Sequence, residues 1–203
     1  NSSVINNGVQ NKLKKEKKIL QMNNYKKKYI PKITVISVCR FVEQKNIKDI
    51  LRIAQRIPEI EFKIIGNGKE WDYINQLICE MKIENVNLIG EKKNVFKYLY
   101  YADIYLSTSL YEGLPISILE AMSVGLPIIA SDVVGNSDTI ENGKSGYLYD
   151  LRDLNIAIKY LKNLAFNESL RNLMGYNSFK RQRKMFSKKK MIYKYEKLYS
   201  SLI

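Results

Sequence analysis

Glu112-Gly113-Leu114-Pro115-Ile116-Ser117-Ile118-Leu119-Glu120 (EGLPISILE) sets two carboxylates around a Gly-Leu-Pro turn, the second in the first turns of an expected helix. Pro115 lacks an N–H and sets the turn, as proline does where a helix begins. The turn aims the backbone N–H groups of Gly113, Leu114 and Ile116 outward. A helix N-terminus there adds a partial positive field suited to phosphate. Carboxylates beside that field accept hydrogen bonds from hydroxyls, as on a sugar or a ribose. Phosphate and polyol in one pocket describe a nucleotide-sugar. The same letters also read as an ordinary Pro-initiated helix with Glu in an early turn. Alone, the stretch leaves both readings open.

Outward from it, short β-rich runs alternate with amphipathic ones. Strands are expected at 33–39, 61–65, 86–89, 104–107, 127–131 and 146–149. Between them, Ile47, Ile50, Leu51, Ala54 and Ile57 recur at helical spacing, as do Trp71, Ile74, Leu77, Ile78 and Met81. Trp71 reads as packing. A short helix is expected at 95–101, one holding Glu120 to about Val124, and another at 137–141. Three more follow at 154–164, 168–177 and 188–202. Strand and helix alternate with short connections, which predicts an α/β fold: a doubly wound, Rossmann-like parallel sheet flanked by helices. Ligands of such sheets sit at the carboxyl ends of the strands. Arg40, Gly66, Gly90, residues 107–112 and residues 131–135 should therefore converge.

The 203 residues are 45% hydrophobic, enough for one substantial core. No apolar run approaches the roughly 18 residues of a membrane span, and no signal-peptide core is present, so a soluble, cytoplasmic protein is expected. The chain has no histidine and two cysteines. That excludes imidazole bases, Ser-His-Asp triads and zinc sites of the usual spacing. Cys39 in a strand and Cys79 on the apolar side of a helix both read as core.

The net charge of +14 is uneven: residues 1–32 carry +8, residues 180–197 carry +8, and residues 33–179 carry −2. Basic ends suit a solvated surface or peripheral contact with an anionic membrane face. No nucleic-acid-binding motif accompanies them, so nucleic acid is not expected as a partner.

Further motifs stand in order along the chain: Val4-Ile5-Asn6-Asn7-Gly8-Val9; Val38-Cys39-Arg40-Phe41 with Lys45; Gly66-Asn67-Gly68; Tyr101-Ala102-Asp103; EGLPISILE; Gly125-Leu126-Pro127; and Asn142-Gly143-x-x-Gly146-Tyr147. Taken together the chain resembles the C-terminal, donor-binding half of the GT-B glycosyltransferases of the retaining group 1 type, also called family four. The resemblance implies that Arg40 and Lys45 grip the donor diphosphate and Glu112 meets the donor sugar. It implies that Glu120 holds the ribose hydroxyls, while Gly113, Leu114 and Ile116 turn amides to the phosphates. Gly66 and Gly68 would let backbone approach the nucleotide, and Gly90 with Glu91 to Asn94 would edge the base. Ser109 and Tyr111 are candidates for the pocket wall.

Departures from the family are Cys39 and Asn46, where glycine is common, and Asp138, where glutamate is common. The first two leave Arg40 and Lys45 in place, and Asp138 carries no assigned role. The sequence has no Asp-x-Asp metal motif, so no metal or other cofactor is expected; cations and amides would stabilise the leaving phosphate. Residues 1–32 would be an interdomain linker or remnant of a first domain, 33–180 the nucleotide-sugar-binding domain, and 181–203 a C-terminal helix packing on that first domain. The acceptor, a glycan or glycolipid, would be met mainly by the first domain, and this half alone should transfer little. Three other classes remain: a GT-B sugar-nucleotide epimerase half, a non-catalytic Rossmann-like binding or partner module, and a basic nucleic-acid binder.

Overall fold

The computed structural model describes residues 5–10 and 32–201. Six strands form one sheet: β1 (Thr34–Val38), β2 (Glu61–Ile65), β3 (Val86–Gly90), β4 (Ile104–Ser107), β5 (Ile128–Ser131) and β6 (Gly146–Tyr149). Every pairing is parallel and the order is β3-β2-β1-β4-β5-β6. The sheet is the doubly wound, Rossmann-like one expected. β1 sits beside β4 in register Val35↔Ile104 and Ile36↔Tyr105. Here the winding reverses, so the connections leaving β1 and β4 diverge to opposite faces and open a crevice at their carboxyl ends.

The helices are α1 (Ile47–Gln55), α2 (Trp71–Glu80), α3 (Phe96–Leu99), α4 (Ile116–Ser123), α5 (Val134–Thr139), α6 (Leu154–Phe166), α7 (Glu168–Met185) and α8 (Lys188–Ser200), with a 3-10 turn at Glu43–Lys45. Because strands of a parallel sheet are covered on both faces, they read as nearly continuous apolar runs. One core sets Ile50, Leu51 and Ala54 of α1 and Leu161 of α6 against Val35, Ile64 and Leu106. The other sets Leu99, Ile118, Leu119, Met122 and Phe186 against Ile36, Tyr105 and Ile128. Each Val, Leu, Ile, Met or Phe among them contributes about 1.5–3 kcal/mol on burial.

Three local expectations are corrected. α7 continues to Met185, past the expected end at 177, because Ser178, Phe179 and Gln182 lie buried within a stretch whose charges suggest solvent. The expected boundary at 180/181 therefore falls inside a helix. α5 begins at Val134, three residues early, where the Asn136 amide donates to the Ser131 carbonyl at 3.0 Å and ties the helix to β5. Cys79 is exposed, one step round α2 from Ile78 and off its narrow apolar stripe. It is not a core residue.

Most of the expected linker, 1–4 and 11–31, lies outside the described residues, as do Leu202 and Ile203. Residues 5–10 seat at the α7–α8 junction. The Val9 N–H donates to Phe186 O at 2.9 Å, and its carbonyl accepts from the Lys188 N–H at 3.1 Å and Gln182 Nε2 at 3.0 Å. Among the described residues, no helix is long and apolar enough to cross a membrane.

Candidate functional site

The crevice is built by two loops. After β1, residues 39–41 lie along the loop after β2: the Cys39 N–H donates to Ile65 O and the Phe41 N–H to Asn67 O, each at 2.9 Å. A Cβ on Gly66, whose φ is +143°, would lie 1.8 Å from Cys39 O, and one on Gly68 would lie 2.5 Å from Phe41 O. These glycines thus serve an approach of backbone to backbone. Phe41 is buried with Trp71 at a ring separation of 4.9 Å, so Trp71 is packing. Arg40, between a pocket-wall cysteine and a buried Phe, is left exposed at the crevice.

The 3-10 turn then brings Lys45 inward. Asn46 follows with φ 47° and ψ 49°, a left-handed conformation that only Gly, Asn and Asp adopt readily. Its amide donates to Asp49 Oδ2 at 2.6 Å, pinning the start of α1. Asparagine thus meets the same backbone demand that glycine would.

After β4, Ser109 is buried, its carbonyl accepting from the Ser131 hydroxyl, and Tyr111 is exposed. Glu112 turns back into the crevice, where Lys45 Nζ lies 2.6 Å from its Oε1; the two side chains are only 16% and 9% exposed. Pro115, extended at ψ 96°, caps α4, and the Leu119 N–H is the first to bond back, to Pro115 O at 3.2 Å. Among the described residues the amides of Gly113, Leu114 and Ile116 make no hydrogen bond within the chain. On the far side a Cβ on Gly135 would lie 1.8 Å from Gly113 O, so α5 presses directly on the turn.

A cleft of about 390 Å³ opens between these loops. The structure gathers Arg40, Lys45, Gly66, Glu112, Leu114 and Ile116 in its wall, with Glu91 and Lys92 at the β3 side. Gly68, Gly90, Gly113 and Glu120 are not among the described residues lining it. Glu120 lies one turn further along α4, half-buried, and that burial holds its carboxyl above the ordinary carboxylate range.

Ser117, Val95 and Cys39 also line the cleft and were not expected there. Ser117, a small polar residue in the first turn of a Pro-capped helix, offered a signal; Val95 offered none. Burial pushes the Cys39 thiol up to about 12, opposed by nearby Lys45, so it stays protonated and unreactive. The site can therefore hold an anion between Arg40, Lys45 and the α4 amides while presenting a carboxylate to hydroxyls.

Residues 18–181 match the model of the family described as Glycosyl transferases group 1. The N-acetyl-alpha-D-glucosaminyl L-malate synthase of Bacillus anthracis is 29% identical over 173 residues, which cover 83% of this chain and 45% of that protein. The UDP-Gal:alpha-D-GlcNAc-diphosphoundecaprenol alpha-1,3-galactosyltransferase of Escherichia coli is 31% identical over 150 residues, 72% of this chain and 38% of that protein. A crystal structure of S. aureus TarM in complex with fondaparinux, alpha-GlcNAc-glycerol and UDP superposes with a TM-score of 0.77 at 28% identity, covering 84% of this chain and 36% of that chain. The chain thus spans less than half the length of these relatives. With a parallel six-stranded sheet and a family match running through both loops of the crevice, this chain belongs to the group 1 glycosyl transferases.

Proposed function

We propose that the chain is the donor-binding half of a metal-independent retaining glycosyltransferase, which moves a sugar from a nucleoside-diphosphate sugar to a glycan or glycolipid acceptor. The observation that carries this reading is the convergence of Arg40, Lys45, Glu112 and the α4 N-terminus on one cleft at the β1–β4 switch point. In this reading Arg40 clamps the diphosphate with its planar fork and Lys45 adds a point charge. The amides of Gly113, Leu114 and Ile116 complete a positive surround that grows in worth as negative charge builds on the departing phosphate. Glu112 accepts from the donor sugar's hydroxyls and Glu120 from the ribose. Gly66 and Gly68 hold the floor, and Gly90 with Glu91 and Lys92 borders the base. The leaving phosphate helps take the acceptor proton, so no histidine is needed.

The named donor of the E. coli relative and the nucleotide bound to TarM make UDP the first one to test. The test is calorimetry against UDP, GDP, ADP and dTDP in EDTA, repeated on Arg40→Ala and Glu120→Ala. Saturable binding of one nucleotide that both variants lose supports the reading. Binding indifferent to both would instead favour a generic Rossmann-like module.

A second surface bears on partners. Lys144, Lys180, Arg181, Arg183 and Lys184 surround Glu141 in a groove of about 610 Å³ at the entry to β6. Lys188, Lys189 and Lys190 of α8 follow in the chain. This concentration of positive charge supports peripheral contact with an anionic membrane face.

A further inference from the structure

The loops that carry Lys45 and Glu112 are joined by more than that ion pair. The buried Thr108 hydroxyl lies 3.0 Å from Lys45 O and 2.9 Å from Asn46 O, serving both carbonyls. The Leu110 N–H donates to Gln44 O at 2.8 Å. The Gln44 side chain returns across the gap, its Nε2 donating to Tyr111 O at 2.8 Å. Three consecutive residues after β1, Gln44 to Asn46, are thus bonded to three of the four residues that lead from β4 to Glu112. None of these bonds belongs to the sheet, whose β1–β4 register covers only Val35 and Ile36 on β1. The sheet sets the two loops side by side; it does not set the distance between their tips.

Resting on the donor-site reading above, we infer that Gln44 and Thr108 are positioning residues that fix Lys45 and Glu112 in one frame. Neither lines the donor cleft. Thr108 acts on the two carbonyls that flank Asn46, where the chain makes its left-handed turn. Gln44 acts on the carbonyl of the residue before Glu112. Ammonium and carboxylate are thereby held ready for a β-phosphate and its attached sugar, without a cost of ordering when the donor arrives. A nucleoside monophosphate, which has neither a β-phosphate nor a sugar beyond it, gains nothing from this frame.

That difference supplies the test, run on the chain of 203 residues. Thr108→Val, Thr108→Ser and Gln44→Met are compared with the unsubstituted chain by calorimetry with UDP and UMP. Hydrogen exchange at the Leu110 amide and the melting temperature are read in parallel. Thr108→Val is expected to weaken UDP about tenfold, the effect of one lost hydrogen bond to a part-buried backbone carbonyl, while UMP changes by less than about twofold. Thr108→Ser keeps the hydroxyl and should restore UDP affinity. Gln44→Met removes a partly exposed amide, so it should leave the fold intact, speed Leu110 exchange and weaken UDP but not UMP. Equal losses for UDP and UMP, unchanged UDP affinity in both Thr108→Val and Gln44→Met, or no rescue by serine would overturn the inference. An unsubstituted chain that binds none of UDP, GDP, ADP and dTDP sinks the donor-half reading and this inference with it; where one of the other three binds, it and its monophosphate replace UDP and UMP in the comparison. Normal UDP binding with insensitive variants sinks only the inference.

Discussion

Lys45 and Glu112, 67 residues apart in sequence, meet at 2.6 Å across the crevice between β1 and β4, with both side chains largely withdrawn from water. Each desolvated charge is balanced chiefly by the other. Losing one partner therefore strands its mate, and the damage exceeds that from cutting a surface pair. Lys45→Ala is expected to destabilise the chain by about 2–4 kcal/mol. The double substitution Lys45→Met with Glu112→Leu should recover most of that while abolishing donor binding. Urea unfolding paired with calorimetry reads both, and a double variant no more stable than the single would contradict the pairing.

Gly135 and Gly113 make a sharper contrast. A methyl on Gly135 meets Gly113 O at 1.8 Å, whereas one on Gly113 meets nothing within 4 Å. Gly135→Ala should push the Glu112 turn out of place, costing about 1–3 kcal/mol as an overpacked site and at least tenfold in UDP affinity. Gly113→Ala should leave the melting temperature within about 2 °C. Equal melting temperatures for the two variants would show that α5 does not brace the turn.

Glu120 gives the pH dependence. Burial raises its carboxyl above the ordinary value, so the folded state holds this proton to a higher pH than the unfolded chain does. Stability from this group is therefore present at low pH and falls as pH rises from the unfolded value through the folded one. Glu120→Gln should remove that decline, and its stability relative to the parent should rise above about pH 5. A stability difference independent of pH between 4 and 7, in denaturant titrations, would show that Glu120 is not desolvated. The same variant should weaken UDP if the carboxylate holds the ribose.

The basic groove predicts a salt-sensitive surface interaction. Sedimentation with vesicles of phosphatidylglycerol and phosphatidylcholine should show binding to the anionic kind alone, lost in about 0.5 M salt and in Lys180→Glu with Lys184→Glu. Duplex DNA bound as tightly as the vesicles under the same salt would point to a polyanion binder without membrane preference.

Much of this protein is determined by the sequence itself. Apolar runs such as Thr34–Val38 and stripes such as Ile47, Ile50, Leu51 and Ala54 declare strands and helices because burial follows the geometry of each element. Their alternation yields the parallel sheet, and the sheet places the ends of β1 and β4 together. Arg40, Lys45, Gly66, Glu112, Leu114 and Ile116, which line one cleft, were legible because each follows a strand or opens a helix at that edge and stands in a motif that resembles the family's. What only the tertiary structure decided are contacts between segments with no common period. The length of α7 depends on buried Ser178 and Gln182, polar residues that no hydrophobic pattern flags. Likewise the stitch through Gln44 and Thr108, the bracing of Glu112 by Gly135 and the seat of Gly66 on Cys39 are backbone approaches between distant residues. Sequence periodicity records which way a side chain faces; it carries no measure of how near two loops come.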